Sequence, residues 1–409
     1  MKKILVIGYV WPEPASSAAG SHMLSLLRLF KQQKWRVEFA SPSQLSEYAI
    51  NLTDEGISTH PITLNCDSFD AYITAYQPDL VLFDRFMMEE QFGWRVEKNC
   101  PHTIKILDTE DLQCLRQARH NAFKAGREPN QADLFSDLAK REIAAILRCD
   151  LSLIISSFEI DLLQTTFKID SSLLHYLPFM VDLKKCPKTT TLFSMRKHFI
   201  TIGNFRHAPN WNMVLYLQKI WPLIKQKIPA AELHIYGAYT PPKAMALNNQ
   251  KTGFLIKGRA KNVFDVMQQS RLCLAPIRFG AGIKGKLLDA MIMQTPSITT
   301  TVGSEGMHHN EPWPGIVADD DKTFIDAAIK LYNNESAWRN AQQNASTLLM
   351  ARYNGEILGA QLIHKLNMLF DDIAQHRLNN FTGAMLKHHF MKSTQYMSQW
   401  IAEKNKNKL

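Results

Sequence analysis

A chain of 409 residues with 45% hydrophobic and 21% charged residues is too long for one ordinary core, fits two domains, and has globular rather than disordered composition. Its formal charge of +9 suits an anionic small substrate or an anionic lipid surface. With no basic block interleaved with aromatics and no nucleic-acid module, nucleic acid is set aside as a partner. No stretch approaches the roughly 20 apolar residues of a membrane span, and six scattered cysteines without a C-x-x-C pair argue against a zinc site or disulfide framework and for reduced thiols.

The opening run Lys3–Gly8 is too short for a signal peptide, lacks a small-residue cleavage site, and reads as a first strand of a cytoplasmic protein. Met23, Leu26, Leu27 and Phe30 follow at helical spacing within His22–Lys34. Strands are then expected at Arg36–Ala40, Leu80–Phe83, Thr103–Leu107 and Leu151–Ile155, with helices at Phe69–Tyr76 and Asp133–Arg148. Continuous apolar strands separated by helices imply a parallel sheet covered on both faces.

From Pro178 to Met195 the pattern breaks into a polar, lysine- and threonine-rich connection, read as an interdomain linker. A second alternating series follows. Its strands are His198–Ile202, Glu232–Tyr236, Phe254–Ile256, Leu272–Pro276, Ser297–Thr300 and Gly315–Val317. Its helices are Asn212–Ile228, Val263–Gln269, Lys284–Met293 and Asp321–Asn333, and everything from Trp338 onward reads as helix. The expected architecture is α/β: two Rossmann-like domains facing across a cleft (1–183 and 196–375) and a helical tail (376–409) returning to the first. In such sheets ligands bind at the carboxyl ends of the strands.

Leu274–Met291 runs from a strand through a loop containing Gly280, Gly282 and Gly285 into an amphipathic helix. Glycines admit a ligand close to the backbone, and free amides at a helix start favour an anion. Lys284 and Lys286 add charge there, and Asp289, one turn on, is placed to accept from ribose hydroxyls; a tight turn and a surface Asp–Lys pair would leave the same pattern. In the first half, Asp84-Arg85 and Asp108-Thr-Glu-Asp111 follow strands. Asp108 and Asp111 are the catalytic candidates for acceptor or sugar contacts, with helix capping as the alternative role.

Four blocks of the second half, the donor loop among them, closely resemble the donor domain of GT-B glycosyltransferases, specifically the retaining glycosyltransferase family 4. They are Ile202-Gly-Asn-Phe-Arg-His-Ala-Pro-Asn210, Leu233-His-Ile-Tyr-Gly237, Ala275–Met291 and Thr299-Thr-Thr-Val-Gly-Ser-Glu-Gly306. Trp11–Gly20 resembles the family's loop after its first strand. The resemblance implies transfer of a sugar, with retention and without metal or cofactor, from a nucleotide-sugar donor to a glycan, lipid-linked or protein acceptor. It implies donor contacts at Gly20, Gly203, Asn204, Arg206, Gly237, Gly280, Gly282, Lys284, Lys286, Asp289, Glu305 and Gly306, and catalytic roles for Lys286 and Glu305. Two departures stand out. Of the family's two glutamates eight positions apart, the first is Ala281 and the second Asp289, and Asn210 stands where a lysine is frequent. A nucleotide-sugar epimerase and a non-catalytic binding relative are the rival readings. The family's first-domain histidine has no evident equivalent, and His207 reads as an exposed loop residue. In the tail, Leu386, Phe390, Met397 and Ile401 recur at helical spacing among Lys387, Lys392, Lys404 and Lys406. That pattern predicts packing on the first domain, with peripheral contact to the inner membrane surface as the alternative.

Overall fold

The structure, a computed structural model, describes residues 1–186 and 191–406, with the side chains of 389–391 and 406 excepted. Lys188, Thr189 and Thr190 of the expected linker, and the Phe390 and Lys406 side chains of the tail, lie outside the described residues.

Two all-parallel sheets form the molecule. The first joins β1 (Lys3–Ile7), β2 (Arg36–Ser41), β3 (Ser58–Pro61), β4 (Leu80–Asp84), β5 (Ile104–Asp108), β6 (Leu151–Ile154) and β7 (Leu174–Tyr176) in the order β3-β2-β1-β4-β5-β6-β7. The second joins β8 (Lys197–Ile202), β9 (Leu233–Tyr236), β10 (Phe254–Gly258), β11 (Ser270–Ala275), β12 (Ser297–Thr299) and β13 (Gly315–Val317) in the order β10-β9-β8-β11-β12-β13. Both are doubly wound. Successive residues of β1 point to opposite faces: Leu5 and Ile7 enter one apolar cluster, Ile4 and Val6 another. In β8, Phe199 and Ile200 divide in the same way. Burial on both faces is why these strands read as unbroken apolar runs.

Strands β3 (Ser-Thr-His-Pro) and β7 (Leu-His-Tyr) carry no such run. They are edge strands, where packing demands less of the side chains. The helix Phe86–Asn99 also escaped the periodicity reading. It buries charged residues, Glu89 and Arg95, along with its apolar face.

The chain returns to the first domain earlier than residue 376. Val181 N donates to Tyr353 O at 2.8 Å and Gly355 N to Val181 O at 2.9 Å. The helix Gly355–Asp371 then places Leu358, Leu362, Leu366 and Leu369 in the cluster that holds Ile4 and Val6. Its leucines recur every three or four residues, so the whole stripe serves the first sheet. Arg377 next clasps Asp150 with two bonds of 2.8 Å. The final helix Phe381–Lys406 lies against the helices Phe86–Asn99 and Asp137–Arg148.

Candidate active site

Each sheet reverses its strand order beside its first strand, between β1 and β4 and between β8 and β11. Crevices open at such reversals, and here the two face each other. The loops meeting there follow β1, β4 and β5 from one domain and β8, β9 and β11 from the other.

After β8 the chain turns tightly at Gly203, where a Cβ would fall 2.6–2.8 Å from the side chain of Asn210. Asn210 Nδ2 donates to Asn204 O at 2.9 Å, and its Oδ1 accepts from Lys286 Nζ at 2.6 Å. The asparagine at the position expected to hold lysine thus fixes the loop and aims the lysine of the neighbouring helix. Gly237 is held by contact as well: a Cβ there would lie 2.3 Å from Gly203 O. Arg206 stacks on the Tyr239 ring at 3.5 Å, and the Tyr239 hydroxyl donates across the cleft to Glu13 at 3.0 Å.

After β11 the chain passes through Gly280–Lys284 into the helix Gly285–Ile292. Gly282 has φ +62° and meets the first domain: its Cβ would lie 2.8 Å from Asp111 Cβ. Its N–H donates to Glu159 Oε1 at 2.8 Å, and its carbonyl accepts from the buried Lys284 Nζ at 2.7 Å. A Cβ on Gly285 would touch Ala18 Cβ at 2.4 Å. The helix starts at Ala18 and Gly285, one from each domain, therefore abut. Ser17 Oγ caps the first by accepting from Gly20 N at 3.0 Å. Two positive helix ends and two lysines converge on one spot, an arrangement suited to a diphosphate.

Burial pushes Lys286 down to about 8 and Asp289 up to about 7, the latter opposed only by Lys286. A diphosphate needs the ammonium, and ribose hydroxyls need the carboxylate. Nucleotide affinity is therefore expected to rise as pH passes about 7 and to fall above about 8. In Asp289→Asn the acidic limb should vanish and the alkaline limb remain, as titration calorimetry from pH 6 to 9 would read; an acidic limb retained in the variant would count against a ribose contact.

Glu305 does not face solvent in a turn. Arg119 grips it with bonds of 2.7 and 2.8 Å across the domains and also donates to Gly280 O at 2.9 Å. Gly306, with φ +70°, packs on the first domain so closely that a Cβ would collide with Ser156 Oγ. Asp111 stays at the cleft, held by Arg116 Nη1 at 2.7 Å and pressed against Gly282. His207 is exposed at the cleft mouth, in the electrostatic field of Arg116, Asp111, Arg85 and Lys286.

Two expectations change. Asp108 does not line the cleft: it is 1% exposed and pairs with His22 Nε2 at 3.6 Å. As the last residue of β5 its side chain turns into the core, so its reach to substrate is indirect. Gly20 is buried, and a Cβ on it would strike the Glu13 backbone at 2.5 Å; folding of this loop alone requires the glycine.

Sequence reasoning missed His22 and Glu159. His22 stands four residues before Leu26 on the inner face of its helix, a spacing that could have marked it as buried. It sits among Asp84, Asp108 and Glu110, and Glu110 itself takes φ +61°. Burial opposes its charge, but Asp108, Glu110 and Asp84 outweigh that and hold it at about 9. A histidine raised in this way stabilises the fold fully below its unfolded value near 6.5 and loses that contribution as pH rises to about 9. Thermal stability should fall over this window by on the order of 2–3 kcal/mol. His22→Gln should flatten the decline; an unchanged slope in calorimetric scans would refute the assignment.

Among the described residues, His198, Glu232 and His234 bring ligand atoms within 4.8 Å of one another. They lie at the amino ends of β8 and β9, opposite the cleft. His198 Nδ1 accepts the Glu232 N–H at 3.2 Å, which leaves the ring proton on Nε2, toward its neighbours. The cluster has no part in the cleft chemistry.

Comparison with known proteins agrees with this geometry. The family model described as glycosyl transferases group 1 matches residues 196–334. An uncharacterised 44.6 kDa protein of the cps region of Klebsiella pneumoniae is 26% identical over 165 residues, 38% of this chain and 42% of that protein; the match thus spans less than half of this relative. Similar solved structures include a TarM variant from S. aureus in complex with fondaparinux, alpha-GlcNAc-glycerol and UDP (TM-score 0.69, 11% identity, 91% of this chain and 100% of that one). Sucrose-phosphate synthase from Thermosynechococcus elongatus has a TM-score of 0.67 at 15% identity, over 91% and 100% of the two chains. Anabaena HepE in complex with UDP and glucose has a TM-score of 0.65 at 12% identity, over 90% and 100%. The chain therefore has the GT-B fold, and residues 196–334 of its second domain match the group 1 glycosyl transferases.

Proposed function

We propose that the protein transfers a sugar from a nucleoside diphosphate sugar, bound by the second domain, to a hydroxyl-bearing acceptor entering from the first. The observation that carries this reading is the convergence of the helix starts at Ala18 and Gly285 with Lys284, Lys286 and Asp289 at facing switch points. The departing diphosphate gathers negative charge as the glycosidic bond breaks, and fixed cations in a partly dry site stabilise it. Lys286, oriented by Asn210, is the principal group, and Lys284 sets the loop. Asp289, whose carboxylate accepts no hydrogen bond among the described residues, is placed for the ribose.

With cations of the chain itself at the diphosphate position, we assign the reaction no metal. Resemblance to family 4 supports retention, with the acceptor oxygen bonding to the anomeric carbon on the face the diphosphate leaves and its proton passing to that diphosphate. The acceptor is a glycan, a lipid-linked sugar or a protein. Since TarM and HepE are known with UDP, UDP and its sugars are the first donors to test, beside GDP and ADP. One nucleotide should raise the melting temperature, by the equivalent of about 2.7 kcal/mol at a hundredfold excess over Kd. If no nucleotide raised it, the donor assignment would fail.

A further inference from the structure

Residues 376–409 hold six of the chain's lysines and arginines against one glutamate. One-twelfth of the chain thus supplies more than half of the net charge of +9. Arg377 is consumed in the clasp on Asp150. Of the lysines whose side chains are described, Lys392 and Lys404 are exposed and Lys387 is half-buried.

The last helix has two unlike faces. On one, Ser398 and Ala402 are buried, and Ser398 Oγ accepts from Arg95 Nη2 at 3.2 Å. On the other, Lys392, Tyr396, Trp400 and Lys404 stand four residues apart and form a single exposed stripe. Tyr396 is 62% exposed and Trp400 60%, and Lys404 Nζ lies 5.0 Å from the Trp400 ring centre. Exposed Phe381, Met385 and Met397 flank the stripe. The expected packing on the first domain is thus met by one face of the helix; of the expected apolar set Met397 faces outward, while Leu386 and Ile401 are half-buried.

We infer that this stripe seats the protein on an anionic phospholipid bilayer, with the helix lying in the interface plane. Ring bodies of Trp and Tyr settle at headgroup depth, while lysine stems lie along apolar surface and keep their ammonium groups in water. A protein partner fits less well, because the cores of protein interfaces are depleted of lysine. A second copy would set these lysines against each other. No described helix is long and apolar enough to cross a membrane, so the contact is peripheral. It would turn the first domain, on the acceptor side of the cleft, toward the lipid.

The test is flotation of the full chain with vesicles of about three parts phosphatidylcholine to one part phosphatidylglycerol, against pure phosphatidylcholine. Each lysine near an anionic surface contributes about a fivefold factor, so binding should exceed that to neutral vesicles by tenfold or more, by order of magnitude, and decline with salt. Lys392→Glu with Lys404→Glu should abolish the anionic preference. Tyr396→Ser with Trp400→Ser should weaken binding by about tenfold or more. Both pairs face solvent and should keep the wild-type melting temperature and nucleotide response, which separates loss of seating from loss of fold or donor site. Absence of vesicle binding, binding indifferent to both pairs, or a wild-type dimer dissolved by Trp400→Ser in light scattering would each overturn the inference.

Discussion

Lys286→Met should abolish the nucleotide-induced rise in melting temperature, lower kcat/KM by about 100-fold or more, and leave the ligand-free protein as stable as before or more so. The two halves of this expectation share one cause. The ammonium is held in a partly dry site where burial depresses its pKa to about 8, so its charge costs the native state; an apolar side chain of similar length removes a penalty on the order of 1 kcal/mol. The same dryness makes the charge effective against a diphosphate. Its one hydrogen bond among the described residues, to Asn210 Oδ1 at 2.6 Å, orients it without neutralising it. Loss of stability together with loss of nucleotide response would mean that Lys286 is structural and that the donor charge is met elsewhere. Differential scanning calorimetry with and without the nucleotide separates the two outcomes.

The sheets were legible because parallel strands buried on both faces, such as Ile4–Ile7 and Leu272–Ala275, must be apolar throughout. The donor loop was legible for a related reason: Gly282 and Gly285 occupy places where no side chain fits, and steric necessity writes itself into residue type. What stayed hidden depends on tertiary encounter. Arg119 and Glu305 are separated by 186 residues, and nothing local marks either as half of an interdomain clasp. Glu159 sits in an ordinary helical pattern, yet its buried Oε1 accepts Leu112 N from its own domain and Gly282 N from the other. The tail shows the same limit. Helical spacing told that the last segment was a helix, whereas which face met the first domain depended on where the helices Phe86–Asn99 and Asp137–Arg148 lay.

These clasps imply that the cleft works only if the domains approach as closely as they do here, and Gly282→Ala tests that directly. Gly282 has φ +62°, and an added Cβ would stand 2.8 Å from Asp111 Cβ on the opposite domain. Neither atom belongs to a flexible side-chain end, so relief requires backbone movement. That movement lengthens the bond to Glu159 and disturbs the carbonyl that holds Lys284. Backbone strain of this kind costs about 1–3 kcal/mol, which lowers the melting temperature by roughly 2–4 °C per kcal/mol for domains of this size. Displacement near the diphosphate by about 1 Å costs about 100-fold in turnover. Gly126→Ala supplies the control: Gly126 has φ +65° but nothing within 4 Å of an added Cβ, so it bears the strain alone. Both variants should lose stability, and only Gly282→Ala should lose kcat/KM. Equal activities would show that the contact between Gly282 and Asp111 is incidental. A loss confined to Gly282→Ala would make domain approach, set by glycines at the contact, a condition of sugar transfer.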